Sequence, residues 1–334
     1  MASITIDSNV LSAYNLVSDK SKEISMVIKN GMCYFYSEYQ EVVRYSKSPI
    51  ISSCEFSTTL STEILGAIMK LGLLQISVVQ SDKQIYRFVL VDTINNKVLY
   101  SVNTILQVCL HEARIRQLSK LDTNNSQTLR DRDRFFRACE LTKVNDKSLN
   151  QKGMIFADGY AWTIGNGYLI YLVDPNRLNF VASVATLRAL QSLKGDSMSF
   201  CSDNGYNYCL QGNSILGWRK ERKSSKLPLD YLKYEFSTEA NFDRVLQLLD
   251  SIKSEIERVT LSVSHGTVTI YSLLGTYIVP IECETYEAPD FFLSPVILRS
   301  ILKDCKGAIR LKYSNSRIEL ECSAVHYVIS GLQY

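Results

Sequence analysis

The sequence predicts an α+β fold of three similar domains, each with two helices packed on antiparallel sheets. First, a helix that begins at a serine occurs three times, at Ser61, Ser183 and Ser294, and two or three β-strand patterns follow each copy. Second, another helical stretch lies about fifty residues upstream of each serine. Third, turn signals separate the strand patterns. Repetition of this kind indicates an array of similar domains.

The three serine-led helices share one apolar stripe. When they are aligned on their serines, the fifth and eighth positions carry Leu65 and Ile68, Leu187 and Leu190, and Leu298 and Ile301. These spacings lie on one face of a helix. Ser294 precedes a proline, which suits a capping residue followed by the first helical position.

The first predicted domain covers residues 1–120. Ser8 can cap a helix through Leu16, and Asn30-Gly31 is a strong hairpin signal. Predicted strands cover residues 4–6, 24–29, 32–37, 42–45 and 54–56 before the Ser61 helix, and 74–80, 84–91 and 97–102 after it. Residues 104–118 have helical spacing without a counterpart elsewhere in the chain.

The second and third predicted domains cover residues 121–229 and 230–334, after a polar linker at 119–129 and a charged connector at 219–228. Their upstream helices cover residues 130–142 and 241–251. Predicted strands cover 152–158, 161–164, 169–173, 197–202, 206–211 and 214–218 in the second domain, and 258–264, 267–272, 277–283, 308–313, 317–322 and 325–331 in the third.

Composition favours a soluble globular protein without a cofactor. The 334 residues are 46% hydrophobic and 21% charged, and no apolar run is long enough for a membrane span. The N-terminus lacks the pattern of a signal peptide, and nine scattered cysteines without a CxxC pair predict reduced thiols in a cytoplasm. The three histidines lack metal-ligand spacing, so we expect no metal site.

No catalytic group of residues is evident in the sequence. Gly165-Asn-Gly167 lacks the Lys-Ser/Thr of a phosphate-binding loop and is expected to be a turn. The carboxylates are spread evenly, so we expect no enzyme. An enzyme whose site assembles from distant residues is the alternative.

The exposed faces of the predicted helices carry basic residues. These are Lys70, Arg134, Arg137, Arg188, Arg244, Arg299 and Lys303. The net charge is only +3, and Lys and Arg are common on any solvated helix face. A binding surface for nucleic-acid phosphates is the competing interpretation.

Several local motifs in this order resemble bacterial-type DNA sliding clamps, the β subunit of replicative polymerase. Phe156-Ala-Asp-Gly-Tyr160 lies where that family has Thr-Asp-Gly-His-Arg-Leu. Ser224-Ser-Lys-Leu-Pro-Leu-Asp-Tyr231 resembles its interdomain connector, and residues 292–302 resemble its last helix. The chain end, Tyr327-Val-Ile-Ser-Gly-Leu-Gln-Tyr334, matches its final strand and tail.

The sequence also departs from that family. Tyr160 and Ala161 replace its His-Arg, and Ser330-Gly331-Leu332 replaces its Met-Pro-Met. The chain also lacks the strong acidity of cellular clamps. These departures would fit a divergent clamp, such as one carried by a bacteriophage.

The resemblance implies a head-to-tail homodimer that closes into a ring of six domains around duplex DNA, without sequence preference. It also implies a DNA polymerase as partner, a clamp loader, and basic helix faces turned towards the DNA. A partner-peptide pocket would be lined by Gly159, Tyr160, Trp162, Phe236, Val296, Val328, Ser330 and Leu332. Two alternatives stay open: Trp162 as a core residue, and a clamp-like tether for transcription or repair factors.

Overall fold

A computed structural model gives the fold of the chain. It describes residues 2–53, 55–70, 75–81, 85–92, 97–105, 109, 111–141, 153–165, 167–193, 197–203, 205–221, 226–227, 232–252, 256–285, 287–305, 307–314 and 317–330. Leu332 and the side chain of Lys70 lie outside the described part.

Seven helices occur in this part of the chain, and the three predicted serine starts are confirmed. The helices are α1 (Ser8–Ser18), α2 (Thr62–Lys70), α3 (Glu112–Ser119), α4 (Arg132–Leu141), α5 (Val184–Gln191), α6 (Asp243–Ser251) and α7 (Pro295–Asp304). The hydroxyls of Ser61, Ser183 and Ser294 each accept from a backbone N–H three residues later. Helix α1 differs from the prediction, because the carboxylate of Asp7 rather than Ser8 accepts from its first N–H groups.

Most of the predicted strands are confirmed. Five further strands have no predicted counterpart, at Ile51–Ser52, Gln127–Thr128, Phe180–Ala182, Phe236–Ala240 and Phe291–Leu293. In the first part they are β1 (Ala2–Thr5), β2 (Glu23–Lys29), β3 (Met32–Tyr39), β4 (Val42–Pro49), β5 (Ile51–Ser52), β6 (Phe56–Ser61), β7 (Gln75–Ser81), β8 (Ile85–Asp92) and β9 (Lys97–Ile105). Next come β10 (Gln127–Thr128), β11 (Met154–Ala157), β12 (Tyr160–Gly165), β13 (Tyr168–Val173), β14 (Phe180–Ala182), β15 (Ser199–Ser202), β16 (Tyr206–Gln211) and β17 (Ser214–Arg219). The last are β18 (Phe236–Ala240), β19 (Ile256–Ser262), β20 (Thr267–Ser272), β21 (Gly275–Pro280), β22 (Phe291–Leu293), β23 (Ile309–Ser314), β24 (Arg317–Cys322) and β25 (Val325–Ser330).

Two predictions need correction at the element level. The helix predicted over residues 104–118 is shorter, because residues up to Ile105 pair with β8 and the helix α3 begins only at Glu112. Phe292, placed at the start of the last helix by the resemblance, lies in β22.

The strands form four antiparallel sheets with one recurring plan. The orders are β5-β1-β7-β8-β9, β10-β15-β16-β17-β4-β3-β2-β6, β14-β11-β12-β13-β25-β24-β23-β18 and β21-β20-β19-β22. The plan is repeated six times: a strand that directly precedes a helix pairs with the first strand of a three-stranded meander. The third strands then join meanders in pairs, β17 with β4 and β13 with β25.

The chain forms two compact units. Unit 1 comprises residues 1–129 and 188–220, and unit 2 comprises residues 130–187 and 221–334. Each contains one eight-stranded sheet, so the two strand groups of the middle repeat belong to different sheets. The three-domain division at residues 120 and 229 stays a prediction.

Cysteine chemistry differs from the expectation at one pair. Cys305, just after α7, and Cys322, at the end of β24, form a disulfide with their Cα atoms 5.6 Å apart. The expectation of uniformly reduced thiols is therefore wrong for this pair, which the fold brings together without a CxxC motif. Six other described cysteines are free. None of the helices within the described ranges is long and apolar enough to cross a bilayer.

Candidate functional site

Three of the predicted pocket residues lie at one apolar cluster in unit 2. We name it the Trp162 cluster; its buried members are Ala157, Trp162, Leu169, Tyr171, Leu227 and Val328, with Ile155, Tyr160 and Leu232 packed against them. The alternating register places Tyr160, Trp162, Leu169 and Val328 on one face of the sheet. Trp162 is completely buried, so its indole is part of the core rather than an exposed anchor.

A surface cavity of about 680 Å³ adjoins this cluster, and Gly159 and Tyr160 line it. Its remaining walls come from Asp158, Val173 and the loop of residues 174–179. Asp158 and Gly159 form the two-residue turn between β11 and β12, and both have positive φ, at 52° and 82°. Val173 is half exposed, so the cavity has an apolar side beside an acidic turn.

The structure does not bring Phe236 and Val296 to the cluster. Phe236 stacks on Tyr313 in the edge pair β18·β23, and the register carries its side chain to the face opposite Trp162. Val296 is half exposed on α7. The final residue of that helix, Asp304, accepts a hydrogen bond from Tyr327, whose side chain is on the sheet face opposite Trp162, so α7 packs on that face. Ser330 is exposed and donates to the carbonyl of Gly167 at the far end of β13 from Tyr160.

Sequence reasoning missed the residues that cover the cluster. Leu227 lies in the connector and Leu232 follows shortly after it, where no periodic pattern marks an apolar contact. Tyr171 is also a member, and its ring stacks on His326 with centroids 4.4 Å apart. The strand pattern of β13 could have indicated Tyr171, because it lies directly opposite Trp162.

A buried carboxylate borders the cluster. Glu319 is fully buried and accepts hydrogen bonds from Lys312 at 2.9 Å and from the hydroxyl of Tyr171 at 3.2 Å, while His326 Nδ1 lies 2.8 Å from its Oε1. Burial alone would raise the pKa of Glu319, but the hydrogen bonds of His326 and Lys312 and the charge of Lys312 lower it to about 2. Lys312 also pairs with Glu321 at 2.8 Å, so an ammonium group lies between the two glutamates. The carboxylates of Glu319 and Glu321 lie close to His326, as in a metal site, but Lys312 already supplies their positive charge.

The predicted basic residues differ in how freely they present their charge. Arg188 and Arg244 are exposed, and no described residue pairs with them. Arg134 donates to the backbone carbonyl of Ser323 at 3.4 Å. Arg137 is partly buried in an ion pair with Asp304. An ion pair neutralises much of the field that would attract a phosphate.

Arg299 and Lys303 on α7 share one carboxylate on α6. Arg299 Nε lies 2.6 Å and Lys303 Nζ 3.1 Å from Asp250 Oδ1. These hydrogen bonds lower the pKa of Asp250. The two helices therefore present two cations and one anion together, rather than the two free cations that the sequence predicts.

Two meanders end in an open third strand. Among the described strands, β9 pairs only with β8, and β21 pairs only with β20. Large apolar side chains are exposed on β21 and on the turn that leads into it: Leu273 is 76% and Leu274 64% exposed in the turn, and Ile278 is 69% exposed in the strand. An open edge beside exposed apolar residues is a typical surface for association.

The six strand-and-helix modules, four of which are joined through their third strands, give the fold found in bacterial DNA sliding clamps. No protein-family profile matches the chain, and no curated protein matches it. Among solved structures, the β subunit of DNA polymerase III from Pseudomonas aeruginosa is similar over 100% of both chains, with a TM-score of 0.74 and 10% identity.

Two further structures show the same likeness. The sliding clamp of Bacillus subtilis matches 100% of this chain and 99% of its own, with a TM-score of 0.74 and 12% identity. The Helicobacter pylori β clamp, solved with a bound DNA ligase peptide, covers the same shares with a TM-score of 0.69 and 11% identity. At these identities the likeness shows the fold.

Proposed function

We propose that the chain is a DNA sliding clamp, a non-catalytic processivity factor that forms a homodimeric ring around duplex DNA and tethers a DNA polymerase. The observation that carries this proposal is the pairing rule of the third strands. Four of the six third strands pair within the chain, and β9 and β21 are left over. Pairing β9 of one copy with β21 of another would follow the same rule and give a head-to-tail contact.

Two such contacts would close a dimer and remove both open edges. A contact between different surfaces forms a ring when its rotation closes, and the likeness to full-length clamps supports closure at two copies. The exposed Leu273 and Leu274 would then be covered by the partner copy. Ring closure, rather than affinity for any base sequence, would hold the protein on DNA.

Attraction to DNA would come from unpaired cations such as Arg188 and Arg244, which contact phosphates without reading bases. The tether acts by raising the effective concentration of polymerase at the primer end. The cavity beside Tyr160 and the Trp162 cluster is the proposed docking surface for the partner peptide. Because the H. pylori clamp binds a ligase peptide, tethering a repair or ligation enzyme is the second candidate.

The test is retention on circular DNA. Light scattering should give twice the mass of the chain, and protein loaded on a closed duplex circle should stay bound in high salt. Cutting the circle should release the protein, because a ring slides off free ends. A monomer at micromolar concentration that also fails to stay on circles would contradict the proposal, and added loader and polymerase would test the partner claims.

A further inference from the structure

Unit 1 carries a second apolar cluster at positions equivalent to the Trp162 cluster. We name it the Tyr208 cluster; its buried members are Val27, Tyr36, Val43, Tyr45, Cys109, Ile115, Leu118 and Tyr208. The hairpin β16·β17 closes with the pair Gln211 and Ser214, and the hairpin β12·β13 closes with Gly165 and Tyr168. When these pairs are aligned, positions in unit 1 correspond to positions in unit 2: Tyr206 to Tyr160, Tyr208 to Trp162, Leu210 to Ile164 and Arg219 to Val173. Because β17 pairs with β4 as β13 pairs with β25, Tyr45 in unit 1 corresponds to Val328 in unit 2.

In unit 1 this cluster is covered by helix α3. Ile115 and Leu118 are buried in it, and Leu121 packs against it, so the apolar contacts recur every three residues. The guanidinium of Arg114 lies 4.2 Å from the ring centroid of Tyr206 and donates to the hydroxyl of Tyr208 at 3.2 Å. Tyr208 also donates to Asp203 at 2.7 Å, so the cation lies near an acidic turn.

In unit 2 the equivalent surface is covered less completely. Leu227 of the connector and Leu232 just after it supply part of the cover, but Ile164 and Val173 are each half exposed. None of the described residues places a cation over Tyr160. Asp158, on the turn equivalent to that of Asp203, is exposed and has no partner within the described ranges. The indole N–H of Trp162 is buried and also lacks an acceptor there.

We propose that the Trp162 cluster binds a partner segment with the chemistry of α3, a short basic and apolar helix. An Arg or Lys of that segment stacks on Tyr160 beside Asp158, as Arg114 stacks on Tyr206 in unit 1. Apolar residues at three-residue spacing then cover Ile164 and Val173. The inference rests on the proposed function for the existence of a partner, and it adds the partner's chemistry.

A labelled peptide with the sequence of residues 111–121 tests this inference on the full-length protein. Fluorescence anisotropy should show saturable binding, because unit 1 holds its own α3 at a high effective concentration and leaves unit 2 as the free site. A peptide with Arg114→Gln should bind about threefold to tenfold more weakly, which is the loss expected for one cation–π contact. Val173→Lys in the protein should weaken binding by at least that factor, since Val173 pairs with Tyr160 and the new cation would repel the Arg stacked there.

The equivalent position in unit 1 provides the control. Arg219→Glu should leave peptide affinity unchanged, and Tyr160→Ala, checked by its melting temperature, should lower affinity where Tyr206→Ala does not. Absence of saturable binding, equal affinity of the Arg114→Gln peptide, or equal losses from the Val173 and Arg219 variants would overturn the inference. Retention of the wild-type protein on circular DNA is scored separately, so failure of the peptide alone leaves the proposed clamp function standing.

Discussion

Glu319 is a buried residue that makes the stability of the unit 2 sheet depend on pH. Its carboxylate is fully buried, and Lys312, Tyr171 and His326 surround it. The ionised form is favoured in the fold because its hydrogen bonds outweigh the cost of burial. None of this was visible in the sequence, because Glu319 alternates with apolar neighbours in a strand and its partners come from three other strands.

We expect Glu319 to contribute to acid stability. Its pKa is about 2 in the fold against 4.5 as the ordinary value, so the stabilisation is complete above pH 4.5 and is lost as pH falls towards 2. The difference corresponds to roughly 3 kcal/mol. Glu319→Gln should lower the free energy of unfolding at pH 7 and flatten its fall below pH 4.5, measured by urea denaturation. Glu257→Gln, at an exposed position, is the control, and an unchanged acid limb in Glu319→Gln would contradict this account.

The helices were the elements that the sequence predicted best. The serine starts of α2, α5 and α7 follow from capping chemistry and from an apolar stripe, which are local properties. The sequence could not indicate which basic residues are free, because ion pairs such as Asp250 with Arg299 join separate helices. The same limit explains why Phe236 and Val296 were grouped with Tyr160, although the fold places them on the other face of the sheet.

The α6–α7 ion pairs predict a substitution that strengthens DNA binding. Asp250→Asn should release Arg299 and Lys303 to phosphates, raise affinity for duplexes of any sequence, and steepen the salt dependence by about one to two units. Asp243→Asn on the same helix removes an equal charge at an exposed position and should have the smaller effect. Arg188→Ala with Arg244→Ala should weaken binding. No change in the salt slope for Asp250→Asn would show that α7 does not contact DNA.

At the scale of the whole molecule, the recurring module explains the sheet order. Each meander begins beside a strand that precedes a helix, and it ends in a third strand that joins another meander where one is available. The repetition was readable from the sequence. The joining of third strands was not, because it depends on which edges meet in the fold and leaves no local pattern.

The open third strands predict the effect of charged substitutions on assembly. Leu273→Asp combined with Leu274→Asp should give a monomer by light scattering with an unchanged circular dichroism spectrum, because both side chains are exposed in the single chain. Ile51→Asp changes an equally exposed apolar residue outside this hairpin and should leave the dimer intact. A dimer that survives the double substitution at full strength would place the contact elsewhere.

The joined sheets also determine how the chain would respond to a cut. Cleavage of the polar linker at 119–129 leaves β4 and β17 joined by five residue pairs, and cleavage of the connector leaves β13 and β25 joined by five more. A nicked chain would therefore stay together as one particle. Cohesion between neighbouring repeats comes from backbone ladders as well as from the continuous chain.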